Sequence, residues 1–336
     1  MLKTLSVGTA IANAGEKVRG IIPVPEAFKD ELLPVDVVVV NGKFDGPVLY
    51  IGAGTHGDEF NSMEACRKAA LQLEPAELKG AVIFALCHNN AALANCCRHS
   101  PADGKDLDDC FPGTMEGTAS DALAYIIFHE ALLKANYMID MHTASKNGCN
   151  VRYGTISPVI PEVRDKSYKM VTDFGGQVIF ELKKPEAGEF LGQETGWSYA
   201  GNLFAQAHLQ GIPGSIIEYG EAGRLDQDQI DAAVYGIFNM LRGLNMLDGE
   251  IEVFEPLFIK RNHTIRSQTQ GLFYCYKNPG ERIKKDMLLG EIVVYPNEIH
   301  KIISPCDGIV LRIATEALVK EDVSLFVIGI PEETKA

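Results

Sequence analysis

The clearest pattern in the chain is a set of short apolar runs without polar alternation, each followed by small residues. Residues 48–51 form such a run, which is typical of a buried strand in a parallel sheet. After a glycine-rich turn, apolar residues recur at the spacing of a helix that buries one face: Phe60, Met63, Cys66, Ala70 and Leu73. The pattern therefore predicts a strand, a tight turn and a helix.

The same reasoning predicts further elements along the chain. Strands are predicted at residues 35–40, 81–86, 137–141 and 215–219, and helices at residues 121–134, 201–209 and 226–247. The dipeptide Asn41-Gly42 lies between two predicted strands and predicts a hairpin there. Buried strands alternating with helices predict an α/β fold class.

The pattern changes after Asp248-Gly249. From residue 251 onward the chain consists of short β runs separated by turn sequences, without a helical period. We therefore predict two domains, an α/β domain at residues 1–248 and a smaller all-β domain at residues 249–336.

Composition and charge restrict the class of protein and of partner. Hydrophobic residues make up 46% of the 336 residues, which is typical of an ordered globular protein. No apolar run is long enough for a signal sequence or a membrane span, so the predicted location is the cytoplasm. The formal net charge of -14 argues against nucleic acid and anionic membrane as partners. The eight cysteines lack the regular spacing of a disulfide framework, which favours reduced thiols.

Two residues three positions apart, His56 and Glu59, lie in the turn after the first buried strand. An imidazole and a carboxylate at this spacing can bind one zinc ion, although such a pair at a helix start also occurs as a partner of the helix dipole. His142 follows another predicted strand, and Glu218 lies near the end of a third. Because open α/β sheets bind ligands at the carboxyl ends of their strands, we expect these side chains to meet.

A long loop follows the strand predicted at residues 81–86. It carries Arg98 and ends in residues 104–113, where Leu107 and Phe111 are apolar anchors. A loop of this length in a compact domain is usually functional or disordered, and the anchors favour order.

Four motifs in this order resemble the succinylglutamate desuccinylase/aspartoacylase family, relatives of the zinc carboxypeptidases. They are Gly54-Thr-His-Gly-Asp-Glu59, then Asn89-x-Ala-x₆-Arg98 with Asp103-Gly-x-Asp-Leu-Asp-Asp-Cys-Phe-Pro-Gly113, then Asp140-Met-His-Thr143, and Ile217-Glu-Tyr-Gly220. The resemblance covers most of the first predicted domain. It implies a mixed sheet flanked by helices, as in the zinc carboxypeptidases.

The family pattern also implies a role for each matching residue. Glu218 would act as general base, Arg98 would stabilise the oxyanion, and Asp106 would orient a metal-binding imidazole. Taken singly, Arg98 and Asp106 are more often solvated loop charges. Three protein ligands leave a fourth position for a water, whose pKa zinc lowers towards 7. The implied ligands of one zinc ion per chain are His56, Glu59 and His142.

The chain departs from the family at Asp108 and Asp109, where an Asn-Arg pair usually holds a substrate carboxylate. Two aspartates would repel a carboxylate and accept hydrogen bonds from an ammonium or hydroxyl group. We therefore predict a substrate that is neutral or cationic on the side facing this pair. In the alternative, one aspartate points to solvent, and Arg152 or Arg224 binds a displaced carboxylate.

The predicted β domain resembles a biotinyl/lipoyl-type barrel-sandwich through residues 279–292 and 303–310. Asn297 stands where the carrier domains have their modified lysine, and an amide cannot be biotinylated or lipoylated. We therefore interpret this domain as a lid or an assembly domain.

The leading hypothesis is a zinc-dependent amidohydrolase that removes the acyl group from a small N-acylated amino acid or amine. A carboxypeptidase or peptidoglycan-type peptidase is an alternative with the same zinc ligands. A zinc-free binding protein on this scaffold is a third hypothesis. The joint presence of the implied ligands and Glu218 argues against it. The sequence identifies neither the acyl group nor the amine, and it leaves the formation of a homo-oligomer open.

Overall fold

Strands and helices alternate through most of the chain in the computed structural model, which describes residues 4–182 and 201–332. The strands are β1 (Leu5–Val7), β2 (Ala10–Ala12), β3 (Glu16–Ile22), β4 (Val35–Asn41), β5 (Phe44–Ala53), β6 (Lys79–Ala85), β7 (Tyr137–Ala144), β8 (Gly148–Ile156), β9 (Val178–Glu181), β10 (Gly214–Glu221), β11 (Leu257–Arg266), β12 (Gly271–Cys275), β13 (Arg282–Ile283), β14 (Leu288–Val294), β15 (Glu298–Ile303), β16 (Gly308–Ala314), β17 (Leu318–Val319) and β18 (Ser324–Pro331). The helices are α1 (Phe60–Gln72), α2 (Asn90–Ala94), α3 (Ala119–Glu130), α4 (Pro161–Phe174), α5 (Leu203–Leu209) and α6 (Gln227–Gly243). Short 3₁₀ turns occur at Glu26–Phe28, Leu107–Asp109 and Leu132–Lys134.

Twelve of the described strands form one mixed sheet in the order β13-β16-β18-β11-β9-β8-β10-β7-β5-β6-β4-β3. Its centre is parallel, because β10, β7, β5 and β6 run in the same direction. On either side of this centre, β8 pairs antiparallel with β10 and β4 pairs antiparallel with β6. This arrangement confirms the predicted α/β class with a mixed sheet.

The central strands are apolar on both faces because helices cover the sheet on both sides. Val38 packs in one core with residues of α1 and α6, whereas the next residue, Val39, packs in a second core with residues of α3 and α5. Ile51 and Tyr50 of β5 divide between the two cores in the same way. Two-sided burial therefore explains why the predicted strands lack polar alternation.

The structure confirms most of the elements predicted in the α/β region. The predicted strands correspond to β4, β5, β6, β7 and β10, and the predicted helices to α1, α3, α5 and α6. Elements that the sequence patterns left unassigned include β3, β8, β9 and α4. No helix in the described ranges is both long and apolar enough to cross a membrane. The cytoplasmic location stays a prediction.

The hairpin predicted at Asn41-Gly42 is wrong. Although β4 and β5 are consecutive in the chain, β6 lies between them in the sheet. Neither residue has the positive φ that a tight two-residue hairpin turn needs. Instead, the backbone N–H of Gly42 donates to the carbonyl oxygen of Gly80 at 2.8 Å, which ties this connection to the start of β6.

The strands after residue 250 form two packed layers. Strands β15, β14, β12 and β17 make a separate four-stranded sheet, whereas β13, β16, β18 and β11 continue the large sheet. A core of its own lies between the two layers, with Leu289, Ile292, Phe326 and Ile328 fully buried. The all-β character predicted for this region is therefore present. The division of the chain at residue 248 stays a prediction.

Two strand pairings join this C-terminal β region to the α/β sheet. Strand β11 runs parallel to β9, with Phe258 as the register partner of Ile179. Strand β16 runs antiparallel to the beginning of β8, where Arg312 is the register partner of Asn150. The C-terminal β region therefore extends the sheet on the side where β8 follows β7.

His208, near the end of α5, is a buried histidine behind β10. Its Nε2 lies 3.2 Å from the carbonyl oxygen of Gly214 and 3.2 Å from Oγ of Ser167. Its Nδ1 is buried and has no hydrogen-bond partner among the described residues. A proton on Nδ1 would be neither solvated nor paired, and burial accordingly lowers the pKa of His208 to about 4.

We expect this histidine to make the fold sensitive to acid. The pKa of histidine in an unfolded chain is about 6.5. Between pH 6.5 and the folded pKa of about 4, protons therefore bind the unfolded chain more tightly than the folded protein. The contribution of neutral His208 to the free energy of unfolding is therefore complete above pH 6.5. It decreases as the pH falls towards 4, with a loss of about 2 kcal/mol at pH 5. His208→Gln should reduce the difference in unfolding free energy between pH 7 and pH 5 by about that amount, measured by urea denaturation.

The exposed His263 provides the control for this prediction. His263→Gln should leave the difference between pH 7 and pH 5 as it is in the native protein. An equal difference in the His208→Gln variant and the native protein would contradict the prediction.

Candidate active site

The turn between β5 and α1 holds His56 and Glu59 in the interior. The backbone N–H of Gly57 donates to the carbonyl oxygen of Cys97 at 3.0 Å, and a Cβ at Gly57 would lie 2.0 Å from the backbone carbon of Ala92. Only glycine fits at this position, because α2 and the residues after it lie directly against the turn. The side chains on either side of Gly57 are consequently fixed in place.

The three residues predicted as metal ligands meet in a buried cluster. Nδ1 of His56 lies 2.7 Å from one oxygen of Glu59, and Nδ1 of His142 lies 3.2 Å from the other oxygen. The backbone N–H of Thr143 donates to the same carboxylate at 3.0 Å. One ligand atom from each of the three residues lies within 4.8 Å of the others. Two imidazoles and a carboxylate are a donor set that suits a divalent metal ion such as zinc.

Each imidazole also has a carboxylate beside its other nitrogen. Nε2 of His56 lies 3.0 Å from Asp106, as the family resemblance predicts, and Nε2 of His142 lies 3.2 Å from Asp140. Carboxylates in this position orient metal-binding imidazoles and increase their basicity. The role of Asp140 was missed in the sequence, although Asp140 and His142 are two residues apart on a strand and therefore share a face.

The charges in the cluster stabilise one another. Burial lowers the pKa of His56, but Glu59 and Asp106 raise it by more, to about 9. Burial raises the pKa of Glu59, but the imidazoles of His56 and His142 together bring it well below its usual range. The positive charge of the two imidazoles therefore keeps the carboxylate of Glu59 in its charged form.

Arg98 lies at the edge of this cluster. Its Nε donates to Oδ2 of Asp106 at 3.0 Å, and one of its terminal nitrogens lies 3.3 Å from Nδ1 of His56 and 3.7 Å from Glu59. Burial opposes the charge of Arg98, but Asp106 and Glu59 more than offset it and raise its pKa. Asp106 therefore positions both an imidazole and a guanidinium.

Glu218 lies on β10 as the register partner of His142 on the neighbouring strand β7. One of its oxygens accepts a hydrogen bond from Nδ2 of Asn150 at 2.9 Å, a contact that was not predicted. Burial raises the pKa of Glu218 to about 7, and the nearby charge of Glu59 adds to this while His142 opposes it. A carboxyl group with a pKa near neutrality is able both to accept and to release a proton.

Asp108 and Asp109 lie in the 3₁₀ turn at the rim of the same site. One oxygen of Asp108 accepts a hydrogen bond from Nδ2 of Asn202 at 2.7 Å, and the other is buried without a partner in the described part of the chain. Burial raises the pKa of Asp108 to about 6. The side chain of Asp109 is exposed.

A cavity of about 680 Å³ connects these residues. Its floor includes His56, His142 and Glu218, and the loop side is formed by Arg98, Asp106, Asp108 and Asp109. A further wall comes from the C-terminal β region, with residues Asn262, Thr264, Arg266, Leu311, Arg312 and Val327. The contribution of β11 and β16 to this wall was not predicted.

Arg152 does not lie at this cavity, contrary to its predicted role in substrate binding. Its Nε donates to the carbonyl oxygen of Gly175, at the end of α4, at 2.8 Å. The reason is an irregularity in the pairing of β8 with β10, in which β8 has one extra residue between Asn150 and Tyr153. Both of these residues line the cavity, and Arg152 between them points elsewhere. The alternative residue, Arg224, is exposed and lies 3.5 Å from Glu221.

Comparison with known proteins places these residues in a family. Residues 45–244 match the model of the succinylglutamate desuccinylase/aspartoacylase catalytic domain. The chain belongs to this family. The N-alpha-acetyl-L-2,4-diaminobutyric acid deacetylase of Halomonas elongata is 22% identical over 224 residues, which make up 66% of this chain and 61% of that protein. The match thus spans less than two thirds of the deacetylase.

Solved structures of family members have the same fold. A succinylglutamate desuccinylase/aspartoacylase from Rhodobacter sphaeroides has a TM-score of 0.78 and 22% identity, with 94% of both chains covered. The product-bound ectoine utilization protein EutE (DoeB) from Ruegeria pomeroyi has a TM-score of 0.79 and 19% identity, with 94% of this chain and 95% of that chain covered. These likenesses show that the chain has the fold of the family.

Proposed function

We propose that this protein is a zinc-dependent deacylase that cleaves the amide bond of a small N-acylated amino acid or amine. The observation that carries the proposal is the buried cluster of His56, Glu59 and His142 beside Glu218 in one cavity. Zinc fits the cluster because each imidazole has one nitrogen facing Glu59 and the other facing an orienting carboxylate. The family membership supports the same reaction.

The chain's own residues divide the work of hydrolysis between them. When bound, zinc would lower the pKa of a coordinated water and polarise the amide carbonyl. Glu218 would take the proton of the attacking water and pass it to the departing amine nitrogen, for which its pKa of about 7 is suited. Asn150 would hold one oxygen of Glu218 during both transfers.

Arg98 would stabilise the negative charge that develops on the amide oxygen. Asp106 fixes its guanidinium from one side, so little reorganisation is needed when the charge appears. The same carboxylate orients His56. Asp106 would therefore keep the distance between His56 and the guanidinium of Arg98 constant.

The cavity favours a small substrate over the alternatives. A carboxypeptidase or peptidoglycan-type peptidase must accommodate a longer chain, whereas residues of β11 and β16 wall this cavity of about 680 Å³. A zinc-free binding protein has no use for a carboxyl group that exchanges protons beside the metal cluster. Both alternatives are therefore weaker than the deacylase.

Charge at the cavity supports a substrate with a cationic or neutral group near Asp108 and Asp109. The carboxylates of Asp108 and Asp109 line the cavity, where they would attract an ammonium group and repel a carboxylate. The relative from Halomonas elongata is named for an N-acetylated diamino acid, which carries a second amino group. This name supports the same preference in the present chain.

The C-terminal β region would act as a permanent wall of the active site rather than as a carrier domain. We also propose that this region has the barrel-sandwich form predicted from residues 279–292 and 303–310. Its two packed layers and the exposed Asn297 in the turn between β14 and β15 support this interpretation.

The first prediction concerns metal content. The purified protein should contain about one zinc ion per chain, and His56→Ala should lose it. Asp140→Asn should weaken zinc affinity about 10-fold to 100-fold, because the imidazole of His142 loses its orienting carboxylate. Competition with a chromophoric chelator measures both, and Asp173→Asn, which removes a buried carboxylate of α4, is the control. Substantially less than one zinc, not restored by added metal, would rule out the proposed enzyme.

The second prediction concerns the general base. Glu218→Gln should retain zinc and the fold but lose about 10²-fold to 10⁴-fold in kcat, because the amide keeps the shape of the side chain and cannot accept the proton. Glu221→Gln, at the end of the same strand and outside the cavity, should remain close to native activity. Near-normal turnover by Glu218→Gln would exclude the assigned role.

The third prediction concerns substrate charge. The native enzyme should hydrolyse an N-acetylated diamine with a higher kcat/KM than N-acetylaspartate. Asp108→Asn combined with Asp109→Arg should shift this ratio towards the dicarboxylate about 10-fold to 100-fold, the effect of a charged hydrogen bond. If the native enzyme prefers N-acetylaspartate, or if the double variant leaves the ratio unchanged, the pair does not select substrate charge.

A further inference from the structure

We propose that Arg312, on β16 of the C-terminal β region, binds the carboxylate of an N-acylated amino acid substrate. This inference rests on the proposed deacylase function and specifies which group of the substrate is recognised by the cavity wall that the C-terminal β region forms. Together with Asp108 on the loop side, it defines the substrate class as an N-acylated diamino acid, with an ammonium group at one pole and a carboxylate at the other.

The position of Arg312 is fixed by strand pairing. Arg312 is the register partner of Asn150, and Asn150 donates the hydrogen bond to Glu218. The guanidinium therefore projects into the cavity from a strand immediately beside the one that supports the proposed general base. A substrate group bound there would share one cavity with His56, His142 and Glu218.

A missing side chain at Gly148 makes room for the guanidinium. A Cβ at Gly148 would lie 2.2 Å from one terminal nitrogen of Arg312 and 2.5 Å from its central carbon. The same side chain lies within 3.4 Å of Oγ of Ser145, a weak contact from the loop that follows His142. The guanidinium thus rests flat over the beginning of β8, and any larger residue at position 148 would displace it.

Arg312 differs from the other two arginines of the cavity in its partners. Arg98 is engaged by Asp106, and Arg266 donates to the carbonyl oxygen of Asp322 at 2.7 Å and lies 3.6 Å from its carboxylate. Within residues 4–182 and 201–332, no carboxylate lies within 4.0 Å of a nitrogen of Arg312. The guanidinium of Arg312 is partly buried in a cavity that otherwise contains aspartate and glutamate side chains. It is therefore available to a substrate carboxylate, to which it can donate two parallel hydrogen bonds.

The test uses two compounds that differ only in the carboxylate, Nα-acetyl-2,4-diaminobutyrate and N-acetyl-1,3-diaminopropane. With zinc-loaded native enzyme, kcat/KM should favour the amino acid derivative. Arg312→Ala should lower kcat/KM for that derivative about 10-fold to 100-fold, mainly through KM, and change that for the diamine little. Arg312→Lys should be intermediate, because it keeps the charge without the fork.

Two further variants separate position from charge. Gly148→Ala keeps Arg312 but displaces its guanidinium, so it should reproduce part of the loss for the amino acid derivative alone. Arg282→Ala removes an exposed arginine of β13 that lies outside the cavity, and it should leave the ratio of the two substrates unchanged. Equal losses for both substrates in Arg312→Ala, or an unchanged ratio, would overturn the assignment.

Binding of the products distinguishes this inference from the proposed function. Calorimetry should show tighter binding of 2,4-diaminobutyrate than of 1,3-diaminopropane to the native protein, and no such difference in Arg312→Ala. If neither acetylated compound is hydrolysed, the proposed reaction fails for this class, and the calorimetric difference still decides the role of Arg312. If Arg312→Ala affects only N-succinylated amines, the carboxylate belongs to the acyl group and the proposal is wrong.

Discussion

The carboxylate of Glu59, buried between two imidazoles, is the interaction on which the rest of the site depends. A buried carboxylate without partners costs several kcal/mol, so its neighbours must supply positive charge and hydrogen-bond donors. His56, His142 and the backbone N–H of Thr143 do so. Nε2 of His56 is hydrogen-bonded to Asp106, and Nε2 of His142 lies 3.2 Å from Asp140. A divalent cation held by His56, Glu59 and His142 would supply positive charge to the same carboxylate.

The order of the parallel strands brings these residues together. Strands β5, β7 and β10 are neighbours that run in the same direction, so their carboxyl ends lie at one edge of the sheet. The register makes Glu218 the partner of His142, and the turn after β5 adds His56 and Glu59. Residues separated by up to 162 positions therefore form one cluster, because ligand sites of α/β sheets occur where strands end.

The parts of the site that the sequence could reveal are those that depend on the local pattern of apolar and polar residues. The meeting of His56, Glu59 and His142 was predictable because these residues lie at the carboxyl ends of strands with buried apolar runs. Helix α4 has Pro161 in its first turn and Gly175 with a positive φ after its end, and these local signals mark its bounds although its apolar pattern alone did not predict it. The position of Arg152 was not predictable, because it depends on one extra residue in β8 opposite β10. The contact of Asn150 with Glu218 depends on the same long-range pairing.

The C-terminal β region cannot be considered apart from the chemistry. Its strand β16 pairs with β8 at Asn150, so the wall of the cavity and the support of Glu218 belong to one continuous sheet. Removing the strands after residue 250 would leave β8 and β9 with unpaired edges and open the site to water. Because charged groups interact more strongly when water is excluded, the separate β core that holds this wall in place would support the proposed reaction from outside the cluster of His56, Glu59 and His142.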